Sequence, residues 1–191
     1  MDTFSQRFIE RLQQYKSKHF KPVGNLLLGL NLNANVLTTF SLISGLLATY
    51  FLFTQYALFI LFILLHLLFD GLDGVVARIA GSTTVGAYYD HLSDGLLTIL
   101  LLVKIGLFLG DYVAYVAVGI YAFSLIVHFS SKMKYPVLFT RTLTVLFCIL
   151  YIPSVAITIW SLVIAYLISG IAGLFSLARQ LQELWIRKVV K

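Results

Sequence analysis

Charged residues are scarce in this chain. Only 12% of its 191 residues are charged, whereas about a quarter would be charged in an ordinary soluble domain, and 60% are hydrophobic. The chain has three prolines and a single cysteine, Cys148, which excludes an internal disulfide and a thiolate metal site. The composition therefore predicts an integral membrane protein, and the length fits one domain over residues 1–191.

The few basic residues are unevenly distributed, although they give a net charge of +6. The loops near 54–56 and 152–154 contain no Lys or Arg, so the positive-inside rule places the basic segments and both termini in the cytoplasm. Anionic lipid head groups account for this charge, so no nucleic-acid partner is required. We expect a multi-pass protein of a prokaryotic cell membrane. Twelve of the 14 Lys and Arg residues lie before the first apolar span, around one internal loop or in the tail: Arg7, Arg11, Lys16, Lys18, Lys21, Lys132, Lys134, Arg141, Arg179, Arg187, Lys188 and Lys191.

The apolar stretches predict an all-α fold with six transmembrane helices, because each is near the roughly 20 residues that a bilayer requires. The predicted spans are 35–54, 57–80, 84–109, 112–131, 136–152 and 155–178. Before them, residues 3–20 alternate apolar and polar residues at helical spacing, which predicts an amphipathic helix on the membrane surface. An even number of spans agrees with both termini lying on one side.

Four aspartates lie within or beside the second and third predicted spans. Asp70 and Asp73 share one face of a helix, and Asp90 and Asp94 share one face of the next. A charged side chain at the centre of a membrane helix costs roughly 2.5–3.5 kcal/mol, so such residues normally mark a function. If the two helices are antiparallel neighbours, the four carboxylates converge. Hard oxygen ligands of this kind select Mg²⁺, Mn²⁺ or Ca²⁺.

The residues between the aspartates suit a phosphate-bearing ligand. Gly74, Ala77 and Gly86 have minimal side chains, which leaves room for a ligand against the helix backbones. Arg78 offers a permanently charged, forked donor suited to phosphate. Four carboxylates can bridge two divalent ions, the arrangement that clamps an in-line phosphoryl displacement. A purely structural acid network would leave too much uncompensated negative charge.

The full pattern resembles the signature of the CDP-alcohol phosphotransferase family. It reads Asp70-x2-Asp73-Gly74-x2-Ala77-Arg78-x7-Gly86-x3-Asp90-x3-Asp94. The resemblance implies transfer of a phosphatidyl-type group from a CDP-linked lipid to the hydroxyl of a small polar alcohol, with release of CMP. It also implies six transmembrane helices after an amphipathic helix, a cytoplasm-facing cavity and a homodimer.

The resemblance further implies roles for individual residues. The four aspartates are then ligands of two divalent cations, Mg²⁺ or Mn²⁺, and Asp94 is also the candidate general base. Asn35 and Thr38 match an Asn-x-x-Thr element of the nucleotide site, although Ala34 stands where the family usually has proline. The implied contacts to the CDP donor are Asn35, Thr38, Asp73, Gly74, Ala77, Arg78 and Gly86.

The sequence does not identify the acceptor alcohol. Candidate acceptor-binding residues are Lys132, Lys134, Arg141 and Arg179, whereas Gly95 occupies a position where relatives with phosphorylated acceptors usually carry Lys or Arg. We expect CDP-diacylglycerol or an ether analogue as donor. The alternatives are a cholinephosphotransferase-like reaction of a CDP-amino alcohol with diacylglycerol and, in another class, an ion-coupled transporter. His66, on the face of Asp70, is a candidate supporting residue.

Overall fold

The computed structural model describes residues 20–135, 137–138 and 140–189, and these form helices without any strand. The predicted amphipathic helix over 3–20 lies outside the described residues, apart from Phe20. A short 3₁₀ turn, Ala156–Thr158, precedes the last helix. The helices are α1 (20–29), α2 (Ala34–Phe51), α3 (Tyr56–Ala80), α4 (Thr84–Leu109), α5 (Tyr112–Ser130), α6 (Arg141–Leu150) and α7 (Ile159–Val189).

Local sequence determines where the helices that carry the aspartates begin and end. Asn33 caps α2, since its side chain accepts from Val36 N at 3.0 Å. Helix α3 ends at Gly81, whose φ of 91° favours glycine, and Thr83 caps α4 by accepting from Gly86 N at 3.0 Å. The turn between α3 and α4 is therefore confined to residues 81–83, so the chain reverses at once and the aspartates of both helices lie at the same end.

The helices pack around a shared apolar core. Helix α2 packs against both α3 and α4, while α7 packs against α5 and α6. Phe59, Leu101 and Leu162 are completely buried in this core. Small residues bring helices close together, because a Cβ added at Gly173 of α7 would lie 3.1 Å from the backbone of Tyr121 in α5.

Five of the described helical segments are long and apolar enough to cross a membrane. These segments are Ala34–Phe51, Tyr56–Ala80, Thr84–Leu109, Tyr112–Ser130 and Ala156–Trp185. The predicted span 136–152 is not confirmed, because its helix α6 has only 10 residues. Such a helix is about 15 Å long, half of the roughly 30 Å thickness of a hydrocarbon core. Lys132 and Met133 have positive φ values of 56° and 59°, and the helix does not begin until Arg141.

Helix α6 nevertheless runs from the level of Asp70 toward the opposite end of the bundle. Its first residue, Arg141, contacts Asp70 in the second half of α3. Near its other end, the carbonyl oxygen of Ile149 accepts from the Tyr56 hydroxyl at the start of α3 at 2.7 Å. The chain therefore passes through α6 from the end that carries the aspartates to the opposite end, antiparallel to α3.

Candidate active site

The structure brings three of the four predicted aspartates together. One carboxylate oxygen from each of Asp70, Asp90 and Asp94 lies within 4.8 Å of the other two, and all three residues are partly buried. Asp70 comes from α3 and the other two come from consecutive turns of α4. Helix α2 packs against both helices and holds them in this arrangement. We call these three residues the acidic cluster.

Asp73 lies apart from the acidic cluster and has a different partner. Its side chain is buried, and the Thr38 hydroxyl of α2 lies 2.8 Å from Asp73 Oδ2 and 3.0 Å from the carbonyl oxygen of Ala34. Both neighbours are acceptors, so the hydroxyl donates its one proton between them. Thr38 thus links the predicted Asn-x-x-Thr element directly to the aspartate motif.

A cavity of about 460 Å³ lies between the start of α2 and the turn that joins α3 to α4. We call it the donor cavity. It contains six of the seven predicted donor-binding residues, and Arg78 is the exception. Asp90 belongs both to this wall and to the acidic cluster. The lining residues are Asn33, Ala34, Asn35, Thr38, Asp73, Gly74, Ala77, Ala80, Gly81, Ser82, Thr83, Gly86, Ala87 and Asp90.

Two glycines keep the donor cavity open. A Cβ added at Gly86 would lie 3.0 Å from both Asn35 Oδ1 and Thr83 Oγ1, tighter than most real contacts, so glycine lets Asn35 approach the first turn of α4. At Gly74 the nearest atom that an added Cβ would meet is Nη1 of Arg78, at 3.9 Å. The guanidinium of Arg78 therefore lies beside Gly74, at the edge of the cavity, rather than among its lining residues.

Arg141, the first residue of α6, forms ion pairs with two residues of the acidic cluster. Its Nη1 donates to Asp70 Oδ1 and to Asp94 Oδ1, and its Nη2 donates to Asp70 Oδ2 at 2.7 Å. Arg141 is only 8% exposed. The anionic partners of this predicted acceptor residue are thus the aspartates themselves. The other three predicted acceptor residues, Lys132, Lys134 and Arg179, are exposed.

A buried histidine, His66, lies one helical turn before Asp70 of the acidic cluster. Nδ1 of His66 lies 2.8 Å from Ser41 Oγ and 3.0 Å from Ser41 O, and Ser41 Oγ donates back to the His66 carbonyl at 3.1 Å. A carbonyl only accepts, so Nδ1 carries the proton and Nε2 keeps its lone pair. The four-residue spacing of His66 and Asp70 in the sequence indicated a supporting role for the histidine. No sequence feature indicated that Ser41 is its hydrogen-bond partner.

The acidic cluster is suited to a divalent cation. Its donors are all carboxylate oxygens, the ligands that Mg²⁺ and Mn²⁺ prefer, and their mutual distances fit a single ion. Asp90 would place such an ion at the wall of the donor cavity. The arrangement can therefore bring a cation to an anionic group of a ligand bound in that cavity.

A comparison with known families agrees with this arrangement. A family model described as CDP-alcohol phosphatidyltransferase matches residues 31–178, which is more than half of the chain. The match spans α2 to α6 and most of α7, and so includes every residue of the acidic cluster and the donor cavity. No curated protein and no solved structure matches the chain significantly.

Proposed function

Because the chain belongs to the CDP-alcohol phosphatidyltransferase family, we propose that it moves a phosphatidyl-type group from CDP-diacylglycerol, or an ether analogue, to a small polar alcohol, with release of CMP. One observation carries this proposal. Six of the seven residues that the family resemblance assigns to the CDP donor line one cavity, and Asp90 in its wall also belongs to the acidic cluster. A bound donor is thereby held beside the group of residues suited to a cation.

The proposed cofactors are two divalent cations, Mg²⁺ or Mn²⁺. Asp70, Asp90 and Asp94 would hold one, and Asp73 with Asp90 would contribute to the other, because Asp90 lies between the two groups. When bound, the cations neutralise the charge of the pyrophosphate and polarise its phosphoryl oxygens. Thr38 keeps the Asp73 carboxylate fixed in the cavity wall through its hydrogen bond of 2.8 Å.

The donor cavity would bind the nucleotide end of the donor. Gly74, Ala77 and Gly86 leave room for the cytidine, and Asn35 offers amide groups at the same wall. Arg78 lies beside Gly74, where its guanidinium can donate to a phosphate at the edge of the cavity. These contacts orient the donor so that the phosphorus attached to the lipid lies toward Asp90 and Asp94.

Asp94 is the proposed general base. It lies one helical turn beyond Asp90, on the side away from the cavity-lining residues Thr83 and Gly86. An in-line displacement requires the attacking and leaving oxygens to lie on opposite sides of the phosphorus. The acceptor hydroxyl gives its proton to the Asp94 carboxylate as its oxygen bonds to phosphorus, and the bond to the CMP oxygen breaks toward the donor cavity.

The acceptor would approach from the side of Arg141. Arg141, with Lys132, Lys134 and Arg179 as further candidates, is proposed to bind it. Position 95 faces α5, because a Cβ added at Gly95 would lie 2.7 Å from Cδ1 of Leu125. A basic side chain at position 95 would therefore point into packed side chains in this chain. Arg141 is the cation in contact with Asp70 and Asp94 among the described residues.

Our proposal for the membrane arrangement has six passages, with both termini and the site on the cytoplasmic side. It is supported by the path of α6 from the acidic cluster to the opposite end, and by Tyr151, whose ring lies 5.6 Å from that of Phe53 at that end. The absence of Lys and Arg near 54–56 and 152–154 supports the orientation. A homodimer is part of this proposal and rests on the family alone.

The direct test is release of CMP by the purified protein. The protein is incubated with Mg²⁺ or Mn²⁺ and CDP-diacylglycerol, together with serine, glycerol 3-phosphate or inositol phosphate in separate reactions. We expect metal-dependent CMP release with one of these acceptors and none in the presence of a chelator. A parallel reaction with CDP-choline and diacylglycerol tests the alternative donor. Cation uptake into vesicles without CMP release from any mixture would contradict the proposal.

A further inference from the structure

We propose that the guanidinium of Arg141 takes the place of a cation at Asp70 and Asp94, and that a divalent cation binds there only when this guanidinium moves away. Arg141 thus competes with the metal for the acidic cluster. The inference rests on the cation site of the proposed function, but it concerns binding, so it is testable apart from catalysis.

The contacts of Arg141 are those that a cation would make. Its Nη1 donates to one oxygen of Asp70 and one oxygen of Asp94, which makes this nitrogen a bridge between α3 and α4. The oxygens of the acidic cluster lie within 4.8 Å of one another. A divalent ion that binds two oxygens at about 2.0–2.6 Å requires a separation of this size. An ion that bound both aspartates through these two oxygens would lie where Nη1 of Arg141 lies.

The two cations cannot share these oxygens. Like charges at contact distance repel strongly in a partly buried site, where water screens them less than at an exposed surface. Arg141 is only 8% exposed, and Asp70 and Asp94 are themselves partly buried. A divalent ion must therefore displace the guanidinium before it can bind both aspartates.

The position of Arg141 in the chain suits such an exchange. It is the first residue of α6, after the segment in which Lys132 and Met133 have positive φ values. Without a metal, Arg141 supplies the positive charge that the partly buried carboxylates need. With a metal, that charge comes from the ion, and the guanidinium is free to bind another anion.

Direct measurement of Mn²⁺ binding tests the proposal. The purified full chain is titrated with Mn²⁺, and electron paramagnetic resonance reports the free ion. We expect Arg141→Gln to bind Mn²⁺ roughly tenfold more tightly than the unmodified protein, because the competing charge is removed. Arg179→Gln is the matched control: it removes the same charge from an exposed position on α7 and should change the affinity less than twofold. Equal affinities in all three proteins would overturn the proposal.

A second measurement needs no variant, so it holds even if Arg141→Gln does not fold. An arginine-selective dicarbonyl reagent is applied to the unmodified protein with and without Mn²⁺, and mass spectrometry quantifies the modified peptides. We expect Mn²⁺ to increase modification of Arg141 several-fold, while exposed Arg179 serves as the internal reference. Unchanged or decreased modification of Arg141 would overturn the proposal.

The two proposals fail in distinguishable ways. If CMP is released but Mn²⁺ neither binds Arg141→Gln more tightly nor exposes Arg141, the inference is wrong and the function stands. If Mn²⁺ competes with Arg141 but no acceptor supports CMP release, the inference stands and the function is wrong. If neither the unmodified protein nor Arg141→Gln binds Mn²⁺, the inference and the proposed function are both wrong.

Discussion

The candidate site has two halves, the donor half around the donor cavity and the acid half formed by the acidic cluster, and their carboxylates have different kinds of partner. In the donor half, Asp73 accepts a hydrogen bond from the neutral hydroxyl of Thr38 and faces an open cavity. In the acid half, Asp70 and Asp94 are ion-paired with Arg141. The same residue type in one motif therefore has a neutral partner from α2 on one side and a charged partner from α6 on the other. Asp90 joins the two halves.

This difference indicates separate tasks for the two halves. The donor half is shaped before any ligand arrives, because small residues and capped helix ends define its cavity. In the acid half, Arg141 contacts the carboxylates of Asp70 and Asp94, which under our proposal admit a metal only when this guanidinium moves away. Substitutions in the acid half should therefore affect the chemical step, whereas those in the donor half should affect recognition of the donor.

The largest effect is expected from Asp94→Asn in the acid half. Asparagine keeps the shape of the side chain but can neither accept the acceptor's proton nor offer a charged ligand, so kcat should fall at least about 1000-fold. The protein should still fold, because Arg141 keeps both contacts to Asp70. CMP release measures the activity, and circular dichroism with size-exclusion chromatography measures the fold. Retained turnover would falsify the assignment of the base.

In the donor half, Thr38→Val should have the second largest effect. Valine has nearly the shape of threonine but cannot donate to Asp73, and a hydrogen bond to a charged group contributes about 1.5–3 kcal/mol. We expect kcat/KM for the CDP donor to fall about tenfold to a hundredfold.

Thr39→Val is the matched control for this substitution. The neighbouring Thr39 is exposed, and its hydroxyl lies 2.8 Å from Asn35 O and 3.0 Å from the Tyr89 hydroxyl. Loss of the Thr39 hydroxyl should change kcat/KM for the CDP donor less than threefold. If both variants lose the same activity, the contact between Thr38 and Asp73 has no special role in the donor half.

The donor half was largely predictable from the sequence, because its determinants are local. The predicted span 84–109 agrees with Thr84–Leu109, since Thr83 caps this helix and Gly110 ends it with a φ of 64°. The family resemblance placed Asn35 and Thr38 with the aspartate motif, and the cavity contains both. The hydrogen bond from Thr38 to Asp73 and the position of Arg78 outside the cavity lining required the three-dimensional structure.

The acid half was less predictable, because it depends on contacts between distant parts of the chain. Arg141 meets Asp70 and Asp94 only because α6 packs beside α4 and α7. The position of Arg141 in an apolar run of the sequence favours an anionic partner but does not identify it. The length of α6 was also missed, since hydropathy over 136–152 does not reveal that Lys132 and Met133 adopt positive φ values or that the helix begins only at Arg141.

A smaller effect is expected from Gly86→Ala, which narrows the donor half without removing a functional group. The added Cβ would lie 3.0 Å from Asn35 Oδ1, so this side chain must move by a few tenths of an ångström. We expect KM for the CDP donor to rise a few-fold while kcat stays unchanged. Gly119→Ala in α5 is the control, because nothing lies within 4 Å of its added Cβ. A fall in kcat without a change in KM would contradict the division of tasks between the halves.

The smallest effect is expected from Asp111→Asn, far from both halves. Asp111 accepts from the Tyr166 hydroxyl at 2.5 Å and from Val113 N at 2.9 Å, and these hydrogen bonds lower the pKa of Asp111. A lowered pKa stabilises the folded protein above the ordinary Asp pKa of about 4, and the contribution is lost as the pH falls through the lowered value. The unmodified protein should therefore melt slightly above Asp111→Asn at pH 7, and this difference should shrink as the pH falls below about 4 and vanish below the lowered pKa, while CMP release at pH 7 stays the same. A difference in melting temperature that persists or grows in acid would show that the charge of Asp111 does not stabilise the connection between α4 and α5. Loss of CMP release would show instead that the two halves are not the whole of the site.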